Sequence, residues 1–121
     1  MSKEDTEHSN KHIDAFMKER EELNEYVMKY ADIKIKRFFS LDSQAYRDES
    51  LSAGMKELLG LVGSIVLRCD DCIKYHLIRC YEEGISDKEL EEAVTIATVV
   101  GGTITVPHIR RAFKLWDEMK E

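Results

Sequence analysis

The chain has 121 residues, with 18 Lys and Arg against 24 Asp and Glu, 43% hydrophobic residues, one Pro and three Cys. This length predicts one domain with a single modest core. A net charge of −6 and a pI near 5.3 argue against nucleic acid or an anionic membrane surface as a partner.

The sequence shows neither an export signal nor a membrane span. The longest apolar stretch, residues 58–67, is far shorter than the ~20 residues that a spanning helix needs. The first ten residues, MSKEDTEHSN, are acidic and polar, unlike a signal peptide. We therefore expect a soluble cytoplasmic protein. In that compartment, close cysteines are typical of redox or metal chemistry rather than of a structural disulfide framework.

The first third of the chain predicts polar helices after a flexible start. Residues 1–10 are polar and are expected to be flexible. From about Asn10 the apolar residues recur at helical spacing. A second helical stretch, residues 33–46, either continues this helix or turns off near residues 31–32. Residues 11–121 are assigned to one domain.

A strongly apolar helix is predicted over about residues 52–67, with Ser50 or Ser52 as its N-cap. Its apolar side chains lie around most of the circumference, which is typical of a helix buried inside a domain or an oligomer. Gly60 and Gly63 each lower its helix propensity by roughly 1 kcal/mol relative to Ala, and close helix packing is the expected compensation.

The next two helices have clear boundary signals. One is capped by Cys69 or Asp70 and ends before Gly84, which stands in the position of a C′ glycine. Ser86 opens the following helix, with Glu89 three residues later, and this spacing fits a capping box.

Residues 93–106 support two interpretations. Their sequence, AVTIATVVGGTITV, is rich in β-branched residues around two glycines, and local propensity favours a β-hairpin. The capping box and the uninterrupted run from Asp87 favour a buried helix to about Val100. In that case the chain breaks at residues 101–102, and a last helix carries Pro107 in its first turn.

The chemistry of the chain is concentrated in the segment CDDCIKYH, residues 69–76. At a helix N-terminus the free N–H groups and the helix dipole stabilise an anion, so a thiolate forms more readily there. Cys72 lies inside the first turn and gains most, while Cys69 is near enough to form a disulfide with it. His76 follows Cys72 by one turn on the same face, where an imidazole can take the thiol proton directly or through one water.

Glu57, on the preceding apolar helix, completes a possible catalytic group. If the two helices pack together, its carboxylate can orient the imidazole or a relay water, which gives the general arrangement of an activated cysteine. One thiolate then attacks a peroxide oxygen to form a sulfenic acid, and the second thiol condenses with it to a disulfide. Attack on a substrate disulfide needs the same groups.

Other interpretations of these residues stay open. The cysteine pair can be purely structural. A zinc site would take both cysteines and His76 with Glu57 or His108 as the fourth ligand, although neither makes a recognised zinc spacing. Asp70 and Asp71 fit helix-capping residues, yet two carboxylates beside the cysteines oppose thiolate formation.

Two further residues have simpler interpretations. Cys80 is expected to be a small buried hydrophobe rather than a third redox thiol. His108, directly after Pro107, is expected at the surface or at an interface.

The spacing of Glu57, Cys69, Cys72 and His76 matches a known signature. With eleven, two and three residues between them, these four resemble the Glu/Cys/Cys/His pattern of the AhpD-like alkylhydroperoxidases of the carboxymuconolactone decarboxylase superfamily. The resemblance extends over about residues 50–115. It implies that Cys72 is the peroxidatic thiol, that Cys69 is the resolving thiol, and that the other two residues form a proton relay.

The resemblance also implies an architecture. It predicts an all-α fold, with helices packed around a buried helix that carries the CxxC motif, and it favours the helix over the hairpin for residues 93–106. It further implies a homo-oligomer, a trimer or a hexamer. Residues 1–48 lie outside the resemblance, and their long polar helix can serve as an arm of the oligomer.

The leading functional hypothesis is a cytoplasmic thiol-dependent peroxidase of the peroxiredoxin type, an antioxidant enzyme, or a thiol–disulfide oxidoreductase. Its substrate is a small hydroperoxide or disulfide and its reductant an external dithiol, with no cofactor and no resident metal. One alternative is a carboxymuconolactone decarboxylase-type lyase acting on a small lactone or keto acid, with His76 as acid and base. Another is a non-enzymatic metal-binding or redox-sensing oligomer.

Overall fold

The computed structural model describes residues 3–120, which form six α-helices and one short 3₁₀ turn without a β-strand. The helices are α1 (Lys3–Tyr30), α2 (Ile33–Ala45), α3 (Ala53–Val66), α4 (Asp70–Glu82), α5 (Asp87–Gly101) and α6 (Val106–Met119). The expected all-α class is confirmed. No helix in this range is long and apolar enough to cross a lipid bilayer.

The first helix begins earlier than its periodicity predicts. Helical backbone starts at Lys3 rather than near Asn10. Met1 and Ser2, the start of the segment predicted to be flexible, lie outside the described residues, as does Glu121.

Of the two alternatives for residues 31–32, a continuous helix or a turn, the structure shows the turn. The Asp32 carboxylate accepts hydrogen bonds from the N–H groups of Lys34 and Ile35, at 3.0 and 3.2 Å, and so forms the N-cap of α2. This cap starts a new helix where residues 31–32 leave α1, so α1 and α2 are separate helices.

The core lies among the four C-terminal helices. Helix α3 packs against α4 and α5, α4 packs against α6, and α1 contacts α6. The fully buried side chains include Leu61, Ile65, Leu77, Leu90 and Ala97. Because α3 is central, a side chain on its buried face is held next to α4, and this packing positions the site.

Helix α3 buries one face rather than its whole circumference. Leu58, Leu61 and Ile65 point into the core, whereas Met55 and Leu59 are exposed. Within one chain, the burial expected for this helix is therefore present on one face only. The apolar surface left open on α3 is surface that a second chain can cover.

The turn from α3 to α4 sets the direction of the CxxC motif. Arg68 has φ of 59°, a left-handed conformation that few residues other than glycine adopt. The Cys69 N–H donates to the Ser64 carbonyl and the Arg68 N–H to the Ile65 carbonyl, both at 3.0 Å, which is a Schellman arrangement. The chain reverses here, and Cys69 becomes the N-cap of α4.

The boundaries around α4 and α5 follow the predicted signals. Gly84 has φ of 79° and ends α4 in a left-handed turn. The Glu89 N–H donates to Ser86 Oγ at 3.1 Å and the Ser86 N–H donates to Glu89 Oε1 at 2.9 Å, so the capping box is confirmed.

The hairpin interpretation of residues 93–106 is wrong. Helix α5 runs through this segment to Gly101, a 3₁₀ turn covers Thr103–Thr105, and Pro107 lies in the first turn of α6. Val94 and Ala97 are buried against the core. Burial at helical spacing, begun by a strong cap, outweighs the β preference of the branched residues.

Candidate active site

The cysteine pair lies at the N-terminus of α4. Cys69 and Cys72 are joined by a disulfide, with their Cα atoms 5.3 Å apart. Cys69 Sγ also accepts a hydrogen bond from the Cys72 N–H at 3.3 Å, so this sulfur caps the helix. Cys72 is exposed and Cys69 is half-buried. The free N–H groups of the first turn favour negative charge on sulfur once the pair is reduced.

Helix packing brings Glu57 to His76. Glu57 lies on the buried face of α3 and is 2% exposed, and its Oε2 is 2.8 Å from His76 Nδ1. A carboxylate accepts hydrogen bonds, so Nδ1 carries a proton, and in the neutral imidazole Nε2 is the nitrogen with the lone pair. Arg79 Nε lies 3.7 Å from Glu57 Oε1 and pairs with the same carboxylate from another side. The two predicted relay residues are therefore in direct contact.

The His76 ring lies against α3 where Gly60 leaves room for it. A Cβ at this position would lie 2.7 Å from His76 Cε1 and 2.9 Å from Tyr46 Oη. The Tyr46 ring tilts against the imidazole, with centroids 5.3 Å apart. Burial, then the charges of Asp42 and Glu57, raise the pKa of Tyr46, so the phenol stays neutral at physiological pH.

A cavity of about 530 Å³ opens beside Cys72. Helix α4 contributes Cys72, Tyr75 and His76 to its wall, and α1 contributes Phe16, Arg20 and Leu23. The Arg20 guanidinium lies 3.8 Å from the centre of the Tyr75 ring, which links α1 to α4 across the cavity. The contribution of α1 was not predicted, because no local pattern connects it to the cysteine motif.

Cys80 lies on the buried face of α4 and is fully buried. Burial, with a smaller contribution from the charge of Glu57, raises the pKa of its thiol to about 12. This environment is that of a small core residue, as its interpretation from the sequence predicts.

His108 contacts α4 instead of standing free at the surface. Its Nδ1 lies 2.7 Å from Asp70 Oδ1, and its side chain is 17% exposed. Asp70 is the first residue of α4 rather than its cap, which is Cys69. Among the side chains of residues 11–120, no three of the His, Cys, Asp and Glu types gather into a group that could hold a metal ion.

The comparisons with known sequences give the family. The sequence profile of the carboxymuconolactone decarboxylase family matches residues 35–116, so the chain belongs to this family. Uncharacterised protein 4 of the cox locus of Paracoccus denitrificans is 24% identical over 82 residues, which are 68% of this chain and 74% of that protein. An uncharacterised Cupriavidus necator protein is 27% identical over 75 residues, 62% of this chain and 66% of that protein.

Solved structures show the same fold. Two crystal structures of a Thermotoga maritima protein, 54% identical, cover 88% of this chain and 93% and 90% of theirs, with TM-scores of 0.85 and 0.83. That protein is a carboxymuconolactone decarboxylase family member for which a part in an antioxidative response is suggested. A Legionella pneumophila member of the family, 21% identical, has a TM-score of 0.80 and covers 91% of this chain and 98% of its own.

Proposed function

We propose that this protein is a cytoplasmic thiol-dependent peroxidase or thiol–disulfide oxidoreductase. The observation that carries the proposal is the cavity shared by Cys72 and by His76, whose ring Glu57 orients. Cys72 is exposed to this cavity, and Cys69 is close enough to form a disulfide with it. The suggested antioxidative part of the Thermotoga relative supports the same chemistry.

In the proposed peroxidase cycle, Cys72 is the peroxidatic thiol. His76 Nε2 takes its proton, and the thiolate attacks the terminal oxygen of a small hydroperoxide. The O–O bond breaks and the sulfur becomes a sulfenic acid. The proton held by His76 goes to the departing alkoxide, which leaves as an alcohol.

Cys69 then acts as the resolving thiol. Its sulfur attacks the sulfenic sulfur of Cys72, a disulfide forms, and one water leaves with the oxygen. An external dithiol returns two electrons and two protons by thiol–disulfide exchange. The electrons come from that dithiol, so the cycle uses no cofactor. The same two thiols can reduce a substrate disulfide by exchange.

The proposal includes a homo-oligomer, a trimer or a hexamer. Helix α2 has no buried residue, and large apolar side chains stay exposed on α1, α2 and α3. They include Leu23, Tyr26, Ile33, Phe38, Leu41, Met55 and Leu59. An apolar surface of this extent is typical of an interface between chains.

Single thiol variants test the proposal. With dithiothreitol as reductant and cumene hydroperoxide as substrate, we expect Cys72→Ser to lower peroxide consumption to the rate without enzyme. Cys69→Ser, reduced beforehand and mixed with peroxide after the dithiothreitol is removed, should consume one equivalent of peroxide and then hold a sulfenic acid that dimedone traps. Cys80→Ala, which removes the buried thiol, serves as the matched control and should keep turning over.

The alternatives give different results. Unchanged peroxide turnover in a folded Cys72→Ser variant would contradict the proposal. Activity on a lactone or keto acid that survives loss of both cysteines would favour the lyase. Stoichiometric zinc in the purified protein, with thiols protected until a chelator is added, would favour the metal-binding oligomer.

A further inference from the structure

Two side chains of α6 bind Asp70, the residue that follows Cys69. The Asp70 carboxylate accepts a hydrogen bond from His108 Nδ1 at 2.7 Å, and Arg111 Nη2 lies 3.1 Å from its Oδ2. The two partners are 38 and 41 residues away in sequence. The contact therefore joins the first two turns of α6 to the first turn of α4, directly beside the cysteine pair.

The protons in this group can be assigned from its chemistry. Arg111 Nη2 also lies 3.1 Å from His108 Nδ1, but a guanidinium has no lone pair to offer. His108 Nδ1 must therefore carry a proton to bond Asp70, and it cannot also accept from Arg111. Both side chains donate to one carboxylate, and their mutual approach is proximity rather than a hydrogen bond.

The carboxylate is charged and paired in this arrangement. The hydrogen bond from His108, followed by that from Arg111, lowers the pKa of Asp70 below its usual 3.8. Arg111 keeps its positive charge at every accessible pH, so it offsets the negative charge of Asp70. The neighbouring Asp71 is exposed and lines the cavity beside Cys72.

A thiolate at this turn is surrounded by several charges. The charged and titratable groups around it come from α1, α2, α3, α4 and α6; they are Glu19, Arg20, Asp42, Glu57, Asp70, Asp71, Lys74, Tyr75, His76, His108 and Arg111. Two carboxylates in the first turn of α4 oppose a negative sulfur. Arg111 cancels one of them where it lies next to the cysteines.

We propose that His108 and Arg111 are positioning residues of the redox site, which orient and neutralise Asp70 so that a thiolate forms more readily at Cys72. Arg111 supplies the compensating charge, and His108 fixes the carboxylate. The role of the thiolate rests on the proposed function, but its formation can be measured without any peroxide.

The test is a pH titration of the reduced protein in a Cys69→Ser background, followed by ultraviolet absorbance, so that the thiolate observed near neutral pH is that of Cys72. With Arg111→Gln, we expect the midpoint of the Cys72 titration to rise by roughly half a pH unit. This is the size expected when one nearby positive charge is lost from a partly solvated site. Arg111→Lys keeps the charge and should restore most of the shift. His108→Gln should give a smaller rise, because Arg111 still neutralises the carboxylate.

Arg110→Gln is the matched control. Arg110 is exposed one residue earlier on α6 and makes no ion pair with the side chains of residues 11–120, so the same loss of charge should barely move the midpoint. Asp70→Asn supplies the second control. The Arg111 side chain is 56% exposed and held by Asp70, so without that carboxylate it turns to solvent, and Arg111→Gln should lose at least half of its effect.

Equal midpoints for Arg111→Gln and Arg110→Gln would overturn the proposal. So would an Arg111→Gln shift that persists undiminished in the Asp70→Asn background. A lower thermal midpoint with an unchanged thiol titration would show a structural contact alone, and would also overturn it. None of these readouts uses peroxidase activity, so a failure of the proposed function remains distinguishable.

Discussion

Gly60 leaves the space that the His76 ring occupies. The imidazole occupies the space where any other residue would carry its Cβ. Gly63, one turn further along α3, has no atom within 4 Å of the corresponding Cβ position. The expected compensation by close packing is therefore present at Gly60 and absent at Gly63.

These two glycines allow a matched pair of substitutions. Gly63→Ala should stabilise the protein by about 0.5–1 kcal/mol, since it only improves helix propensity. Gly60→Ala should gain little stability, because the methyl group must displace His76 or Tyr46. We expect it to lower peroxide turnover by about 10²-fold, since displacing a catalytic group by about 1 Å has an effect of that size.

Turnover and denaturant unfolding of both variants check this prediction. Unchanged turnover in Gly60→Ala, with the stability of Gly63→Ala, would contradict the placement of His76. If Gly63→Ala loses activity equally, the effect belongs to α3 as a whole rather than to the imidazole.

The contacts of single residues were predictable where a helical register links them. The spacing from Cys72 to His76 gives one turn of helix, and packing of α3 against α4 was expected to let the Glu57 carboxylate orient the imidazole. The pairing of Asp70 with His108 follows from no local pattern, because it depends on how α6 packs against α4. Hydrogen bonds of this kind become predictable only once the helix order in space is known.

At the scale of helices, the N-cap residues predicted where helices begin more reliably than the β-branched composition predicted a strand. Ser52, Cys69 and Ser86 each accept a hydrogen bond from the first turn of the helix that they open. The β-branched residues of α5 favoured a strand, but in the structure they lie in a helix. Thr95 and Thr98 satisfy their hydroxyls by donating to carbonyls four residues earlier, so the helix tolerates them.

Helices α5 and α6 are joined at Asp87. Its carboxylate accepts a hydrogen bond from the buried Trp116 indole at 2.8 Å and pairs with the Lys120 ammonium. The Lys120 contact, followed by that of Trp116, lowers the pKa of Asp87 below its usual 3.8. A lowered pKa in the folded state gives stability that is present above about pH 4 and is lost as the pH falls below that value.

We expect Asp87→Ala to lower the thermal unfolding midpoint at neutral pH, because it leaves the Trp116 N–H without an acceptor. The variant should also lose part of the acid dependence of that midpoint below pH 4. Calorimetry from pH 6 to pH 3 measures both effects. Asp117→Ala, an exposed carboxylate on α6, is the control and should follow the wild type; the same behaviour in Asp87→Ala would contradict the role of this contact.

At the scale of the whole molecule, α2 exposes an apolar face to solvent. Phe38 is 65% exposed and Leu41 is 63% exposed, one turn apart on the same face. The apolar residues of α2 predicted a buried face, which the fold of one chain leaves exposed, but they did not predict the surface that covers it. The reason is physical: helical periodicity identifies which residues share an apolar face, but not which surface packs against that face.

A charge on this face tests the proposed oligomer. We expect Phe38→Glu to convert a trimer or hexamer into smaller species in size-exclusion chromatography with light scattering, because it buries an unpaired carboxylate at the interface. Ser40→Glu adds the same charge on another face of α2 and should leave the mass unchanged. A monomeric wild type would contradict the proposal, and so would a Phe38→Glu variant that keeps its full mass.

The most direct measurement counts peroxide against thiols in a single turnover. The fully reduced protein is mixed with a slight excess of cumene hydroperoxide, and its mass, free thiols and disulfide linkage are determined. We predict that each chain consumes one hydroperoxide, loses two hydrogens and forms the Cys69–Cys72 disulfide, while the Cys80 thiol stays free. A chain that leaves the hydroperoxide unconsumed, or that gains oxygen without forming this disulfide, would contradict the proposed chemistry.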